Sequence, residues 1–481
     1  MSNRRPDVPV RTFAAGLAVL MLLGGCTTLG PDYAPPEQAI PTTWSQAGAG
    51  MTQATQDLSK WWTGLQDPML TDLITQALAD SPDLQKAQAK LRESRARRAL
   101  AGAGKQPTLT ASGSASRNKS SKETSSGVTR NLFSVGLDAS WEADVFGGIQ
   151  RGVEAAQADL EATQASLHDT QVSLAAEVAL NYVNLRAYQQ RLAIARASEA
   201  SQAETLQLTD WRAQAGLTTS LDVDQARTSL EQTRAQIPVL ETGLVEARHR
   251  LAILLGQAPG KLDERLSGAG DIPAIPDRVM VGIPADTLRQ RPDVQAAERS
   301  LAAETARIGV AEAKRYPSFT LGGSLGLEAL TLGGLTGGNA LAGSLLANVA
   351  GTLFDGGRLE QQVEIQNAVQ AQALATYRAT VLTALEDVEN ALVSLSNGRQ
   401  RQASLRNAEA AAASAADLAR QQYQAGLVDF QSVLTSQRTL LDVRDSLKSS
   451  QADTATALVQ LYKALGGGWS NTSDSPDSSS R

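Results

Sequence analysis

Two periods alternate along this chain. Apolar side chains recur every three to four residues through two very long stretches, Ile149 to Trp211 and Arg358 to Tyr423. The first carries Leu174, Val178, Tyr182 and Leu185, and the second Leu374, Tyr377, Val381, Leu385, Val388, Leu392 and Leu395. Neither contains proline, and glycine occurs only at Gly152 and Gly398. This is helical spacing. At 1.5 Å per residue, about 60 to 65 residues form a rod of about 90 to 100 Å. Each rod runs into Gln-Ala-Gly-Leu, at Gln214–Leu217 and Gln424–Leu427, where a left-handed glycine would cap the helix and reverse the chain. Return helices are expected over about Ser220 to Leu255 and Asp429 to Leu465, with Pro238 bending or breaking the first. Shorter helices precede the rods, at about Met69 to Lys105 and Pro284 to Arg315. Each starts after a proline-bearing pair (Asp67-Pro68, Ile283-Pro284) and stops before Pro107 or Pro317.

Between each short helix and its rod the period drops to two. Leu109, Ala111, Gly113 and Ala115 interleave with Thr110, Ser112, Ser114 and Ser116. Phe133, Val135, Leu137, Ala139 and Trp141 interleave with Ser134, Gly136, Asp138, Ser140 and Glu142. Phe319, Leu321, Gly323, Leu325 and Leu327 alternate with Thr320, Gly322, Ser324, Gly326 and Glu328. The fourth run is looser: Leu345, Ala347, Val349 and Leu353 against Ser344, Leu346, Asn348 and Thr352. Runs of about ten residues match tilted transmembrane strands. A soluble two-stranded ribbon with one buried face has the same local pattern. The joining segments, Arg117 to Arg130 and Ala329 to Asn339, are polar or glycine-rich.

The whole order occurs twice. Ser81-Pro82-Asp83-Leu84-Gln85 matches Arg291-Pro292-Asp293-Val294-Gln295, an offset of 210 residues that also relates Gln214-Ala215-Gly216-Leu217 to Gln424-Ala425-Gly426-Leu427 and Leu255-Gly256 to Leu465-Gly466. In the middle the offset slips by one, so that Phe146-Gly147-Gly148 matches Asp355-Gly356-Gly357. A repeat this long is a duplicated structural unit rather than a solenoid module. The resulting division is residues 1–25 as signal peptide, 26–66 as an extended lead-in, 67–269 as the first repeat, 270–469 as the second, and 470–481 as a polar tail.

The N-terminus sets the compartment. Arg4, Arg5 and Arg11 precede an apolar run from Thr12 to Leu23, too short to span a bilayer. Leu23-Gly24-Gly25-Cys26 follows and resembles a bacterial lipobox, with Cys26 as the lipid acceptor. Cys26 is the only cysteine, so no intramolecular disulfide is available. Removal of residues 1–25 takes away Arg4, Arg5, Arg11 and Asp7 and moves the net charge from −6 to −8. That disfavours a nucleic-acid partner, which needs a basic stripe. No later run suggests a transmembrane helix.

Four membrane strands cannot close a barrel, because an open edge in lipid leaves unpaired backbone groups costing several kcal/mol each. Identical chains must therefore pool strands. Two chains would give a filled interior, and three would give twelve strands and a lumen lined by Ser112, Ser114, Asp138, Ser140, Ser324 and Glu328.

With the lipobox, the segment Gly30-Pro31-Asp32-Tyr33-Ala34-Pro35-Pro36, Trp61-Trp62, Asp67-Pro68-Met69-Leu70, Asp144-Val145-Phe146-Gly147-Gly148, the Ala-Gly-Leu tips, Leu221-Asp222-Val223 and Leu353-Phe354-Asp355-Gly356-Gly357, the mature chain resembles the TolC-like outer-membrane factors, in their lipoprotein branch. The resemblance implies a mainly α fold with transmembrane β: a homotrimeric α-helical barrel continuous with a twelve-stranded β-barrel. It implies outer-membrane lipid, a periplasmic membrane-fusion adaptor and an inner-membrane resistance-nodulation-division pump as partners. The function implied is a passive gated duct for drugs and other small toxic compounds.

By the same resemblance, Ala215, Gly216, Leu217 and Thr218 at the first tip, and Ala425, Gly426, Leu427 and Val428 at the second, would dock the adaptor. Asp222, with Asp210, Asp224 and Asp429 nearby, would form a carboxylate gate. Leu434-Thr435 stands where many relatives carry a Leu-Asp pair. Each aspartate also suits an ordinary helix start. His168 and His249 are far apart in sequence and read as ordinary helix residues, and no metal spacing, phosphate loop or catalytic constellation appears. The expectation is a non-enzyme without cofactor apart from the lipid on Cys26. Two further readings fit the pattern less fully: an exit duct for type I secretion or metal ions, and a lipid-anchored periplasmic coiled-coil scaffold, which leaves the four strands unexplained.

Overall fold

A computed structural model describes residues 28–46, 51–52, 57–124 and 127–470. The signal peptide, Cys26 and the tail beyond Ser470 lie outside the described residues. The helices are α1 Pro68–Asp80, α2 Pro82–Ala103, α3 Gly148–Gln214, α4 Ser220–Leu254, α5 Pro284–Gln290, α6 Pro292–Ala313, α7 Arg358–Gln424 and α8 Phe430–Ala464. The strands of the main sheet are β1 Thr108–Lys119, β2 Thr129–Ala143, β3 Ser318–Ala329 and β4 Leu341–Ala350. A two-residue parallel bridge joins Met51–Thr52 to Val279–Met280. Both rods, α3 and α7, are 67 residues long, and both return helices, α4 and α8, are 35.

Two expectations need correction, and the one for Pro238 is narrowed. The short helices are each two helices, broken before Pro82 and Pro292. Proline disfavours helical geometry at its predecessor, and Ser81 and Arg291 have left it, with ψ of 130° and 118°. Pro238 does not break α4, which runs through it. Pro238 and Arg234, one turn back, are both exposed, so water can reach the carbonyl that loses its amide donor. The fourth strand ends at Ala350, leaving Leu353 outside it.

Contacts gather into two compact units, and both sequence repeats contribute to each. Among the described residues the first unit holds 28–36, Leu91–Thr163 and Ala296–Tyr377. Its centre is the antiparallel sheet, ordered β1-β2-β3-β4. Below the sheet the helices pack through small residues, Ala158, Ala302 and Ala303, with Tyr33 against them. Arg151, whose side chain is 6% exposed, holds the N-terminal segment. It donates to the carbonyls of Leu29 and Gly30 and pairs with Asp32 at 2.7 Å. Burial works against its charge, but the hydrogen bonds it donates to Asp32 and Glu154 hold its pKa above the usual value.

The second unit holds Glu37–Lys90, Gln164–Gln295 and the chain from Arg378 onward. Its core gathers Trp61, Trp62, Leu70, Leu73, Ile74, Tyr182, Leu185, Leu251, Leu392, Leu395 and Leu458. Trp61 stacks on Tyr462 at 5.2 Å. Asp67 caps α1 through Leu70 N–H at 3.0 Å and accepts the Tyr182 hydroxyl at 2.8 Å. Burial pushes the Tyr182 phenol up to about 12. Arg291, in the place of Ser81, donates to the Ala464 carbonyl at 3.0 Å and pairs with Asp293 and Asp387, tying the end of α8 to the start of α6.

Candidate functional site

The sheet register sorts side chains by parity. Leu109 faces Ala139, Leu137 faces Leu325, Gly323 faces Leu345, and Trp141 faces Leu321, so odd-numbered residues of all four strands share one face. Leu109, Val135, Leu137, Leu321, Leu325, Leu327, Leu341, Leu345 and Val349 are all exposed on that face. A contiguous apolar surface of this kind on a single chain marks a face that meets lipid or protein. The even face is polar and internally bonded. Ser112 donates to Asp138 at 2.8 Å, and Ser114–Ser134 and Ser324–Ser344 pair at 2.8 Å across strands. Leu132 and Leu346 depart from this pattern. β1 and β4 are edge strands, each with a row of backbone groups unpaired within the chain. Among the described residues no helix is long and apolar enough to cross a membrane.

The two rods end in the same turn, within the second unit. Leu217 N–H donates to Arg212 O at 2.8 Å and Gly216 N–H to Ala213 O at 3.0 Å; Leu427 and Gly426 repeat this with Gln422 and Tyr423 at the same distances. These are paired Schellman caps, with φ of +71° at Gly216 and +75° at Gly426. Ala215, Gly216, Ala425 and Gly426 are exposed, as are Leu217 and Leu427 at 68% and 74%, so two apolar side chains stand at the tips. Thr218 and Val428 are partly buried, Val428 against Tyr423, Phe430, Val433 and Leu434.

The candidate gate carboxylates all have local partners. Thr219 and Asp222 form a capping box at the start of α4, and the Thr218 hydroxyl also donates to Asp222. The Thr218 hydrogen bond, joined by those from Thr219, holds the Asp222 carboxyl below the usual range. Asp429 caps α8, accepting from Ser432 Oγ at 2.7 Å and N–H at 3.0 Å, and those bonds lower its pKa. Asp224 pairs with Arg227 at 3.0 Å, and Asp210 accepts from Gln214 at 2.8 Å. Leu434 is buried rather than presented as a ring-forming side chain.

One tip contact is absent from the sequence reading. Arg212 donates to the Tyr423 carbonyl at 2.9 Å and lies 4.5 Å from the ring centroid, joining the ends of α3 and α7. No repeat signal marks it, because Gln422 and Ala213 stand at the duplicated positions. Of the two histidines, His168 stacks on Trp469 at 4.4 Å, and burial lowers its pKa.

A sheet with one apolar face, one polar face and two open edges, continued by helices of 67 residues, defines a membrane channel subunit. The sequence profile described as outer membrane efflux protein matches residues 73–257 and 283–467, once per repeat, and the chain belongs to that family of outer-membrane proteins. Nodulation protein T of Rhizobium leguminosarum bv. trifolii is 34% identical over 93% of this chain and 96% of its own. The pyoverdine export outer membrane protein OpmQ of Pseudomonas aeruginosa is 33% identical over 94% and 96%. The solved structure of the outer-membrane channel OprN superposes with a TM-score of 0.88 at 36% identity, covering 92% of this chain and 99% of that one. The expected TolC-like fold class is thereby shown.

Proposed function

We propose that this protein is the outer-membrane duct of a tripartite, resistance-nodulation-division type efflux pump, in which three copies close one twelve-stranded barrel. The parity of the sheet carries this reading: its odd face suits lipid, its even face suits a water-filled lumen, and its two edges need a partner strand. The long helices extend the duct into the periplasm, and the tips at Ala215–Thr218 and Ala425–Val428 receive the periplasmic adaptor, behind which stands the proton-driven inner-membrane pump. Asp210, Asp222, Asp224 and Asp429 lie at that end and narrow the passage in the resting state.

Lipidation of Cys26 fits the placement of the first described residues. Two residues further on, Thr28 lies against Gly147, and Leu29 N–H donates to Phe146 O at 3.3 Å, at the bend where the sheet gives way to α3. An acyl anchor there enters the membrane beside the strands. The protein performs no chemistry of its own and needs no cofactor; its cargo is drugs or other small toxic compounds.

Deletion of the gene tests this directly. Susceptibility to several unrelated small toxic compounds should rise and be restored by the intact gene. Restoration by Cys26→Ala should be weaker in proportion to its lower abundance in the outer membrane, with pore conductance retained. Unchanged susceptibility to every compound, in a strain with no second such duct, would contradict the assignment.

A further inference from the structure

Within the first unit, one bend of the chain is seated and its duplicate is not. The first strand-to-helix bend, Asp144-Val145-Phe146-Gly147-Gly148, places Phe146 against the junction of α6 and β3: its ring lies 4.7 Å from Tyr316 and 6.3 Å from Phe319. The bend of repeat one is thus seated on the helix-to-strand junction of repeat two. The second bend, Leu353-Phe354-Asp355-Gly356-Gly357, has no such seat. Leu353 is 102% exposed and Phe354 92%, in a segment fixed on one side by β4 and on the other by Asp355, which accepts from Gly357 and Leu359 N–H at 3.0 and 2.9 Å. The junction that corresponds to Tyr316-Pro317 and Phe319 under the 210-residue offset is Gln106-Pro107 and Leu109, between α2 and β1. It too is empty: Gln106 and Pro107 are exposed, Leu109 is 68% exposed, and Leu100 on α2 is 74% exposed.

These two unfilled halves sit at opposite edges of the sheet. The Leu353-Phe354 bend follows β4, and the Gln106-Pro107 junction precedes β1. We propose that Leu353 and Phe354 of one copy form an apolar knob that seats on Gln106, Pro107 and Leu109 of the next copy, reproducing between chains the Phe146–Tyr316 contact made within each. This rests on the reading of the chain as a strand-pooling oligomer, since that reading brings β4 of one copy beside β1 of another. Charge supports the same occupant: α2 presents exposed Arg92 and Arg95, while the start of α7 presents exposed Glu360 and Glu364. A second copy therefore offers both apolar and charge complementarity to the edge it meets. The knob adds a side-chain contact between copies to the backbone pairing of the two edges. It also withdraws two large apolar side chains from water at the rim of the membrane segment.

Thiol cross-linking tests the contact in the full-length protein. Phe354→Cys combined with Gln106→Cys, treated with a short bismaleimide in outer-membrane preparations, should shift most of the chain to species of two and three times its mass. Phe354→Cys alone and Gln106→Cys alone should give no such ladder, and the within-chain pair Phe146→Cys with Tyr316→Cys should react without changing the mass class. Phe354→Ala, which introduces no thiol, should lower the temperature at which the oligomer dissociates, while Phe319→Ala should do so less. A trimer of normal size with no ladder from the double variant, and no shift from Phe354→Ala, overturns the knob and leaves Phe354 facing lipid. A ladder from Phe354→Cys alone overturns it as well, because the knobs then meet each other. A monomeric protein overturns both this contact and the proposed function.

Discussion

Arg212 lays its guanidinium over the ring of Tyr423, 4.5 Å from the centroid, and donates to the same residue's carbonyl at 2.9 Å. This is a contact across 211 residues of sequence that joins the two rod ends beside their Schellman caps. It combines a partly desolvated cation–π interaction with a charged hydrogen bond, together about 1–3 kcal/mol of local stability. Arg212→Ala should therefore loosen both tips without unfolding the rods. Hydrogen exchange should quicken at residues near 212–217 and 423–428, and exchange in the core around Tyr182 should stay unchanged. Equal protection at the tips in both proteins would show that the contact contributes nothing.

The tip carboxylates give a pH dependence of defined sign. Asp222 and Asp429 both titrate below their ordinary value of 3.8, through hydrogen bonds to Thr218 and Thr219 and to Ser432. A depressed carboxylate stabilises the folded form above its unfolded pKa and loses that contribution as pH falls through its folded value. The turns should hold from pH 7 down to about 4 and loosen below it. A spin label at Leu217→Cys should report rising mobility over that acid range. Asp429→Asn with Asp222→Asn should flatten the response, since asparagine keeps an accepting side-chain oxygen at both positions without titrating. A label whose mobility is constant down to pH 3 would contradict the capping account.

Parity in the sheet predicts opposite outcomes for adjacent positions. Leu137→Arg and Leu325→Arg place a charge on the odd face in the middle of the strands and should cost about 2–4 kcal/mol each of insertion free energy. Ser112→Arg and Ser324→Arg, on the even face, should insert nearly as well as the parent and alter conductance instead. The folded fraction after insertion into lipid vesicles, read by heat-modifiable gel mobility, distinguishes the two sets. Equal losses on both faces would remove the basis for assigning lipid to one and lumen to the other.

A close backbone approach makes a separate claim. Gly136 and Gly326 are paired across β2 and β3, and a Cβ on Gly326 would stand 2.7 Å from Val135 O and 2.8 Å from Gly136 Cα. Gly326→Val should push the central strands apart and lower the yield of inserted protein. Gly333→Val, in a loop position where nothing lies within 4 Å of the added carbon, should not.

Much of this was legible from period alone. The rods, the return helices and the four strands follow from runs of threes, fours and twos, and the duplication gave their order twice. What periodicity could not convey were local exceptions. Pro82 and Pro292 sit within otherwise helical patterns yet divide them, and the residue before each has left the helical geometry that a following proline disfavours. Pro238 also lies within a helical pattern and does not divide it, and exposure does not separate the cases, since Pro82 is exposed as well. The aspartates at the tips were legible as helix-start residues, and Asp222 and Asp429 take that role, whereas the pairing of Asp224 with Arg227 and of Asp210 with Gln214 depends on side-chain direction. The Arg212–Tyr423 contact was invisible because it joins two positions that the duplication does not relate.

The account depends on a sheet that one chain cannot complete. The most direct test is the mass of the purified mature protein in mild detergent. Three chains per particle, with no stable protein remaining in solution once detergent is removed, is the predicted result. A single chain that stays folded and soluble in plain buffer would contradict it.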